Sequence, residues 1–226
     1  MTNKRSIFTV AAAAAFAVFS VGAAPAQEAA GQTMWQWDWA NVELPQGHVA
    51  DDIPLGAEDA PVTMIEYASF TCSHCRDFHN DTFGKLKSEY IDTGKLRFIQ
   101  RDVYFDAVGL GAGLLARCNG ADKYYAISDV LFTNQDRWIG AKTLDEFATN
   151  LRKEGAKVGL TDAQMDACWS DKQVIADLTS TFQANAAKDK VEGTPTIMID
   201  GEVVKDRSWS NLQKVIDEKV AAAAAK

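Results

Sequence analysis

Three hydrophobic patterns follow one another along the chain. VTMIEYASF, residues 62–70, is near-continuously apolar and β-rich, the pattern of a strand covered on both faces of a sheet. Phe78, Phe83, Leu86 and Tyr90 then recur at roughly helical spacing, which predicts a helix from Cys75 to Tyr90 with Thr93-Gly94 as its stop. LRFIQRDVYF, residues 96–105, returns to strand character. Residues 107 to about 190 read as consecutive helices. Thr143 and Thr161 each precede a run with carboxylates in its first turn, Asp145-Glu146 and Asp162, and are candidate N-caps. TPTIMIDGEVV, residues 194–204, predicts a hairpin turning at Asp200-Gly201. A final helix from Ser208 carries Leu212, Val215, Ile216 and Lys219, and AAAAAK is its frayed end. There is no internal repeat.

The first strand, helix and strand form one unit, and two cysteines, Cys72 and Cys75, lie at its first strand-to-helix junction. In open α/β sheets function gathers at the carboxyl ends of the strands. A second glycine-rich stretch, GLGAG at 109–113, also follows a strand, but Leu114 stands where a dinucleotide loop needs its third glycine, so no nucleotide site is expected.

Ahead of these elements, Lys4 and Arg5 precede an apolar run from Ile7 to Val21, and Ala24-Pro25-Ala26 has the small-x-small form of a signal-peptidase site. The run is shorter than the roughly 20 residues of a spanning helix. The expectation is a signal peptide cleaved after Ala26 and an exported, soluble, periplasmic protein. From Gln27 to Asp52 the chain is polar and broken except for MWQWDW at 34–39, whose Trp35, Trp37 and Trp39 would share one face if extended. An arm packing on the body is expected, or else a partner-binding patch.

Composition then narrows the partners. Taking Lys4 and Arg5 from the 23 basic residues leaves 21 against 31 acidic ones, a net charge of −10. Nucleic acid and anionic membranes would need a basic footprint, so neither is expected. The 226 residues, 47% of them hydrophobic, suffice for a sizeable core without staples. Export matters for the four cysteines, at 72, 75, 118 and 168, because thiols outside the cytoplasm can be held as disulfides.

C-x-x-C at the first turn of a helix brings both sulfurs within disulfide reach, and so small a loop adds little stability; its value is reversibility. Cys72, at the helix N-terminus, gains from unsatisfied N–H groups and the helix dipole, which favour its thiolate. The dipole supplies at most about 2 kcal/mol, so a larger shift needs N–H···S bonds and a nearby cation, for which His74 is the candidate. A lowered pKa on Cys72 stabilises the reduced form and moves the couple toward oxidant. Cys75, deeper in the helix, would resolve a mixed disulfide. Glu66, six residues before Cys72, is either an exposed edge residue or a buried carboxylate of raised pKa that relays the proton of Cys75. Thr194-Pro195, ahead of the last hairpin, offers a second loop; a cis bond there would expose the Thr194 backbone to an extended substrate.

The ordered set Glu66, Cys72-Ser73-His74-Cys75, a helical insertion, then Gly193-Thr194-Pro195-Thr196 resembles the DsbA family of thioredoxin-fold thiol–disulfide oxidoreductases over about residues 52–222. The resemblance implies an α/β thioredoxin fold with a helical domain inserted between the first βαβ unit and the C-terminal ββα unit. The corresponding division is 1–26 signal peptide, 27–52 N-terminal arm, 53–106 first thioredoxin-like part, 107–190 helical insertion and 191–226 second thioredoxin-like part. It further implies Cys72 as attacking thiol, Cys75 as resolving thiol, Glu66 as buried acid, His74 as tuning residue and Pro195 as a cis-proline facing the disulfide. Ser-His stands where the best-known oxidases have Pro-His, and Thr194 where they have Val, so potential and partner choice need not match theirs. Exported members of similar families carry a cysteine pair like Cys118 and Cys168, which implies a structural disulfide stapling the insertion; buried free thiols or a second relay are the alternatives. A bond there would add on the order of 4 kcal/mol in the chain-entropy model.

Cys72-x2-Cys75-x3-His79 has zinc-like spacing but lacks a fourth ligand, so no metal and no cofactor are expected; His79 reads as a helix-surface residue and His48 as a linker one. Expected partners are thiol-containing exported polypeptides and a membrane quinone-linked protein that reoxidises the pair. The rivals are a reductase or isomerase kept reduced, and a non-catalytic thioredoxin-like binding module or chaperone. Twenty-six residues between Gln27 and Asp52 are too few for a dimerisation domain, which favours a monomeric oxidase.

Overall fold

The structure, a computed structural model, describes residues 32–225; the expected leader 1–26, with its cleavage site after Ala26, lies outside the described residues. Among the described residues no helix is long and apolar enough to cross a membrane.

The near-continuous apolar run becomes β2, Val62–Ala68, the central strand of a five-stranded sheet. In spatial order the sheet is β1 (Pro54–Leu55), β3 (Leu96–Asp102), β2, β4 (Thr196–Ile199) and β5 (Glu202–Val204). β2 and β3 are parallel, joined by a helical crossover, and the other pairs are antiparallel. Both faces of β2 are covered. Val62 and Met64 pack with Phe78, Phe83, Leu212 and Ile216 on one side, and Tyr67 packs with Val103 and Met198 on the other. That double burial is why its sequence does not alternate. The short edge strand β1 has no counterpart among the elements expected from the sequence, and β3 stops at Asp102, three residues short of the expected Phe105.

The crossover begins at Ser73, with Cys72 as N-cap, and runs without a break as α1 (Ser73–Phe78), a π-helical stretch (His79–Phe83), α2 (Gly84–Leu86) and a second π-helical stretch (Lys87–Ile91). The five-residue step from Phe78 to Phe83 is too long for an α-helical face. The wider π turn keeps both rings in the core. Gly94, at φ +73°, ends the segment.

Six helices follow: α3 (Ala107–Arg117), α4 (Ala121–Thr133), α5 (Gln135–Trp138), α6 (Leu144–Lys157), α7 (Asp162–Ser170) and α8 (Lys172–Asp189). Thr143 caps α6 by accepting from the Glu146 N–H, and Thr161 caps α7 in a reciprocal box with Gln164. The GLGAG run lies inside α3, where Gly111 and Gly113 let the helix approach the rings of Trp35 and Tyr104. The hairpin turns at Asp200 and Gly201, both at positive φ, and α9 (Trp209–Ala224) closes the chain.

MWQWDW is not extended. Thr33 and Gln36 cap a 3-10 turn at Met34–Gln36, which buries Met34 and Trp35 and leaves Trp37 and Trp39 half-buried against the same core. Trp35 meets Trp169 edge-on at 5.3 Å, while Trp37 and Trp39 pair with each other at 5.6 Å. The arm packs on the body through the core of the insertion, and that same core includes Phe70 and Cys75 beside the redox motif.

Candidate active site

The strand-to-helix junction brings the two thiols to the carboxyl end of β2. Both are free; Cys72 is half-buried and Cys75 fully buried. Their ionisation is driven apart. The Cys72 thiol is lowered to about 5, chiefly by the hydrogen bond from the Cys75 thiol, against the opposing effect of burial, and then by Thr194 and the backbone N–H groups of Cys75 and His74. Cys75 is pushed far up by the same hydrogen bond, by burial and by the charge of Glu66. His74 is exposed, and what it brings to the Cys72 sulfur is its backbone N–H.

Glu66 is 4% exposed in the middle of β2, between Gln100 of β3 and Ile197 of β4, and not at a sheet edge. Burial raises its pKa to about 8, reinforced by the Cys72 charge and opposed by Arg207. Asp102, on the same face of the neighbouring strand, adds to that rise. Asp102 is itself buried at the centre of a network, accepting from Gln100 Nε2 at 3.0 Å, the Tyr124 hydroxyl at 2.5 Å and Arg117 Nε at 3.2 Å.

The second loop faces the first. Thr194-Pro195 is a cis bond, and the Thr194 carbonyl oxygen lies 3.5 Å from Cys72 Sγ, within reach of the thiol S–H. Thr196 ties the loop to itself through Gly193, and Arg207 donates to the Pro195 carbonyl oxygen. Cys72, Cys75, Glu66, His74, Thr194 and Pro195 thus converge on one place.

Cys118 and Cys168 are placed elsewhere: they are bonded to each other at the end of α3 and on α7, with Cα atoms 5.5 Å apart. His79 corrects its sequence reading. Its side chain is only 9% exposed, stacked between Phe83 at 4.9 Å and Phe132 at 5.0 Å, with Nε2 held 2.9 Å from Asp129. Burial lowers its pKa. The helix surface at that point is covered by α4, which sequence periodicity does not show. His48 stays exposed on the arm, against Asp177. Among the described residues no group of three or more His, Cys, Asp or Glu is placed to hold a metal.

Sequence reasoning missed Asp102, Arg207 and Gln135. Gln135 is buried, and its Nε2 donates to the Phe70 carbonyl at 2.7 Å and the Cys72 carbonyl at 3.1 Å. No local signal marks it, since its partners lie 65 and 63 residues away.

The family model described as thioredoxin matches residues 48–218. A Rickettsia bellii chain named as a protein-disulfide oxidoreductase is 29% identical over 171 residues, covering 75% of this chain and 65% of that one. Disulfide bond formation protein D of Bacillus subtilis is 25% identical over 178 residues, 74% of this chain and 76% of that one. The chain spans less than two thirds of the Rickettsia relatives, 65% of the R. bellii chain and 61% of one from R. prowazekii. Among solved structures, alpha-DsbA1 of Wolbachia pipientis superposes with a TM-score of 0.68 at 28% identity, covering 80% of this chain and 96% of that one.

Proposed function

The chain belongs to the thioredoxin family, in its DsbA-type branch, and from that premise we propose that it is a thiol–disulfide oxidoreductase that oxidises exported polypeptides in the periplasm by giving up a Cys72–Cys75 disulfide. The observation that carries this reading is the pair of free thiols at the start of α1, Cys72 half-buried at the N-cap and facing the Thr194-Pro195 cis loop, Cys75 buried behind it near Glu66, an arrangement that lowers one thiol and raises the other.

In the proposed cycle a substrate thiolate attacks Cys72 Sγ, and the Cys72–Cys75 bond breaks with its electron pair on Cys75. Glu66, protonated at neutral pH because its pKa is about 8, gives Cys75 its proton. A second substrate thiolate attacks the substrate sulfur of the mixed disulfide and expels Cys72, a good leaving group as a stabilised thiolate. The substrate leaves oxidised and the enzyme as a dithiol. Reoxidation reverses the proton step, returning the Cys75 proton to Glu66, and passes two electrons to a membrane quinone-linked partner. Thr194, before the cis-proline, pairs its backbone with an extended substrate beside the sulfur. The working form is a monomer, and the Cys118–Cys168 bond staples the insertion without taking part in exchange.

The equilibrium reduction potential against glutathione tests this, with Cys72→Ser as control. Donation of the disulfide requires a value well above the glutathione pool, which lies at about −220 to −260 mV. A value at or below that range would make the protein a reductase or isomerase kept reduced by a donor. Activity on unfolded clients that persists after both thiols are replaced by Ala would make it a binding module.

A further inference from the structure

The insertion grips the redox loop through one buried side chain that takes no part in the cycle above. Gln135 opens α5 and is 2% exposed. Its amide donates to two carbonyls, those of Phe70 and Cys72, which bracket Thr71. The next residue, Asp136, pairs with Arg76 on α1, so two consecutive residues of the insertion hold the start of the redox helix from inside and outside. The seat beneath them is rigid: Trp138 is fully buried with its Nε1 on the Leu131 carbonyl at 2.8 Å, and Phe70 packs on Phe132 at 4.9 Å.

The Cys72 carbonyl also accepts the first hydrogen bond of α1, from the Arg76 N–H at 3.1 Å. A carbonyl oxygen has two lone pairs, so these two donors complete its shell and hold the peptide plane between Cys72 and Ser73. That plane is the ψ of Cys72, 120° at the N-cap. It determines how the N–H groups that follow are presented to Cys72 Sγ, and a thiolate is favoured only while they point at it.

We propose that Gln135 is a positioning residue through which the helical insertion sets the redox poise of the Cys72–Cys75 pair. The proposal rests on the exchange reading of that pair. Gln135 does not touch substrate; it acts through the Cys72 carbonyl.

The test uses Gln135→Met, which keeps length and apolar volume but has no donor, and Gln135→His, which keeps a ring N–H at similar reach. The Cys72 pKa is read from thiolate absorbance along a pH titration, and the exchange equilibrium with glutathione from the fraction oxidised. Loss of the Gln135 donor predicts an upward shift on the order of one pKa unit in Q135M. The exchange equilibrium should move by about tenfold, or about 30 mV, toward a less oxidising protein, and Q135H should recover most of both shifts. A Q135M protein that is less stable yet keeps the wild-type pKa and equilibrium would overturn the proposal, since a packing role alone moves only stability. Should Q135M fail to fold, Gln135→Asn withdraws the same amide by one methylene; the shift is expected there, and an unchanged pKa in Q135N overturns the proposal equally. A wild-type protein that does not exchange with glutathione sinks the exchange reading itself. A wild type that exchanges, with variants that match it, sinks only the role of Gln135.

Discussion

Glu66 and Cys72 are six residues apart and titrate in opposite directions for different reasons. Glu66 is raised to about 8 because burial penalises its charge; Cys72 is lowered to about 5 because hydrogen bonds to its sulfur outweigh burial. The carboxyl therefore makes a stability prediction with a definite sign. Its pKa moves from 4.5 unfolded to about 8 folded, so the folded state holds the extra proton, and stability is fully present below about pH 4.5 and lost as pH rises through 8. Glu66→Gln is neutral throughout. The variant should gain on wild type across that window, reaching a few kcal/mol above pH 8, while turning over more slowly because Cys75 loses its proton partner. Urea unfolding of the reduced proteins at about pH 5 and pH 8.5 measures the first effect, and a stability difference that does not grow between those values contradicts it.

At the scale of elements, small details of helix geometry place large side chains. The π turn at His79–Phe83 keeps Phe78 and Phe83 on one face, and the absence of a Cβ at Gly111 admits Trp35 to the body. A Cβ on Gly111 would stand 2.2 Å from Trp35 Cη2, so the indole or the helix must shift to admit it. Gly111→Ala should therefore cost about 1–3 kcal/mol through overpacking, seen as a lower urea midpoint with an altered tryptophan emission. Gly140→Ala, where nothing lies within 4 Å of the added Cβ, is the control and should stay within about 0.5 kcal/mol. Equal effects at the two positions would mean that the Trp35 contact does not hold the arm.

Across the whole molecule, the insertion is tied to the sheet close to where the chain leaves β3 and where it returns after α8. Arg101 of β3 binds Asp52 of the arm and Asp189 of α8, and Asp102 binds Arg117 and Tyr124 of α3 and α4. Within the insertion, the Cys118–Cys168 bond joins the end of α3 to α7 across 50 residues. Replacing both cysteines by Ala frees that loop in the unfolded chain and should lower stability by on the order of 4 kcal/mol in the chain-entropy model, measured by urea unfolding at fixed pH. α5 lies inside the loop that the bond closes, but neither cysteine is a partner of Gln135, whose amide binds the Phe70 and Cys72 carbonyls, so the reduction potential of the Cys72–Cys75 pair should move far less than the stability.

Features whose cause is local were legible in the residues alone. Burial on both faces shows in the apolar run of β2, capping in Thr143 and Thr161, and positive φ in Asp200-Gly201, because each depends on neighbours within a few positions. The C-x-x-C motif belongs with them, since one helical turn brings its thiols together. Tertiary structure alone decided which polar groups meet across long separations. His79 was misread because α4 covers its helix face, and the arm was expected to pack on the body, but only the fold shows that it does so through a 3-10 turn at Met34–Gln36. Gln135, Asp102 and Arg207 act through partners brought near only by the fold, and a hydrogen bond spanning 65 residues leaves no period or spacing in the sequence to find it by.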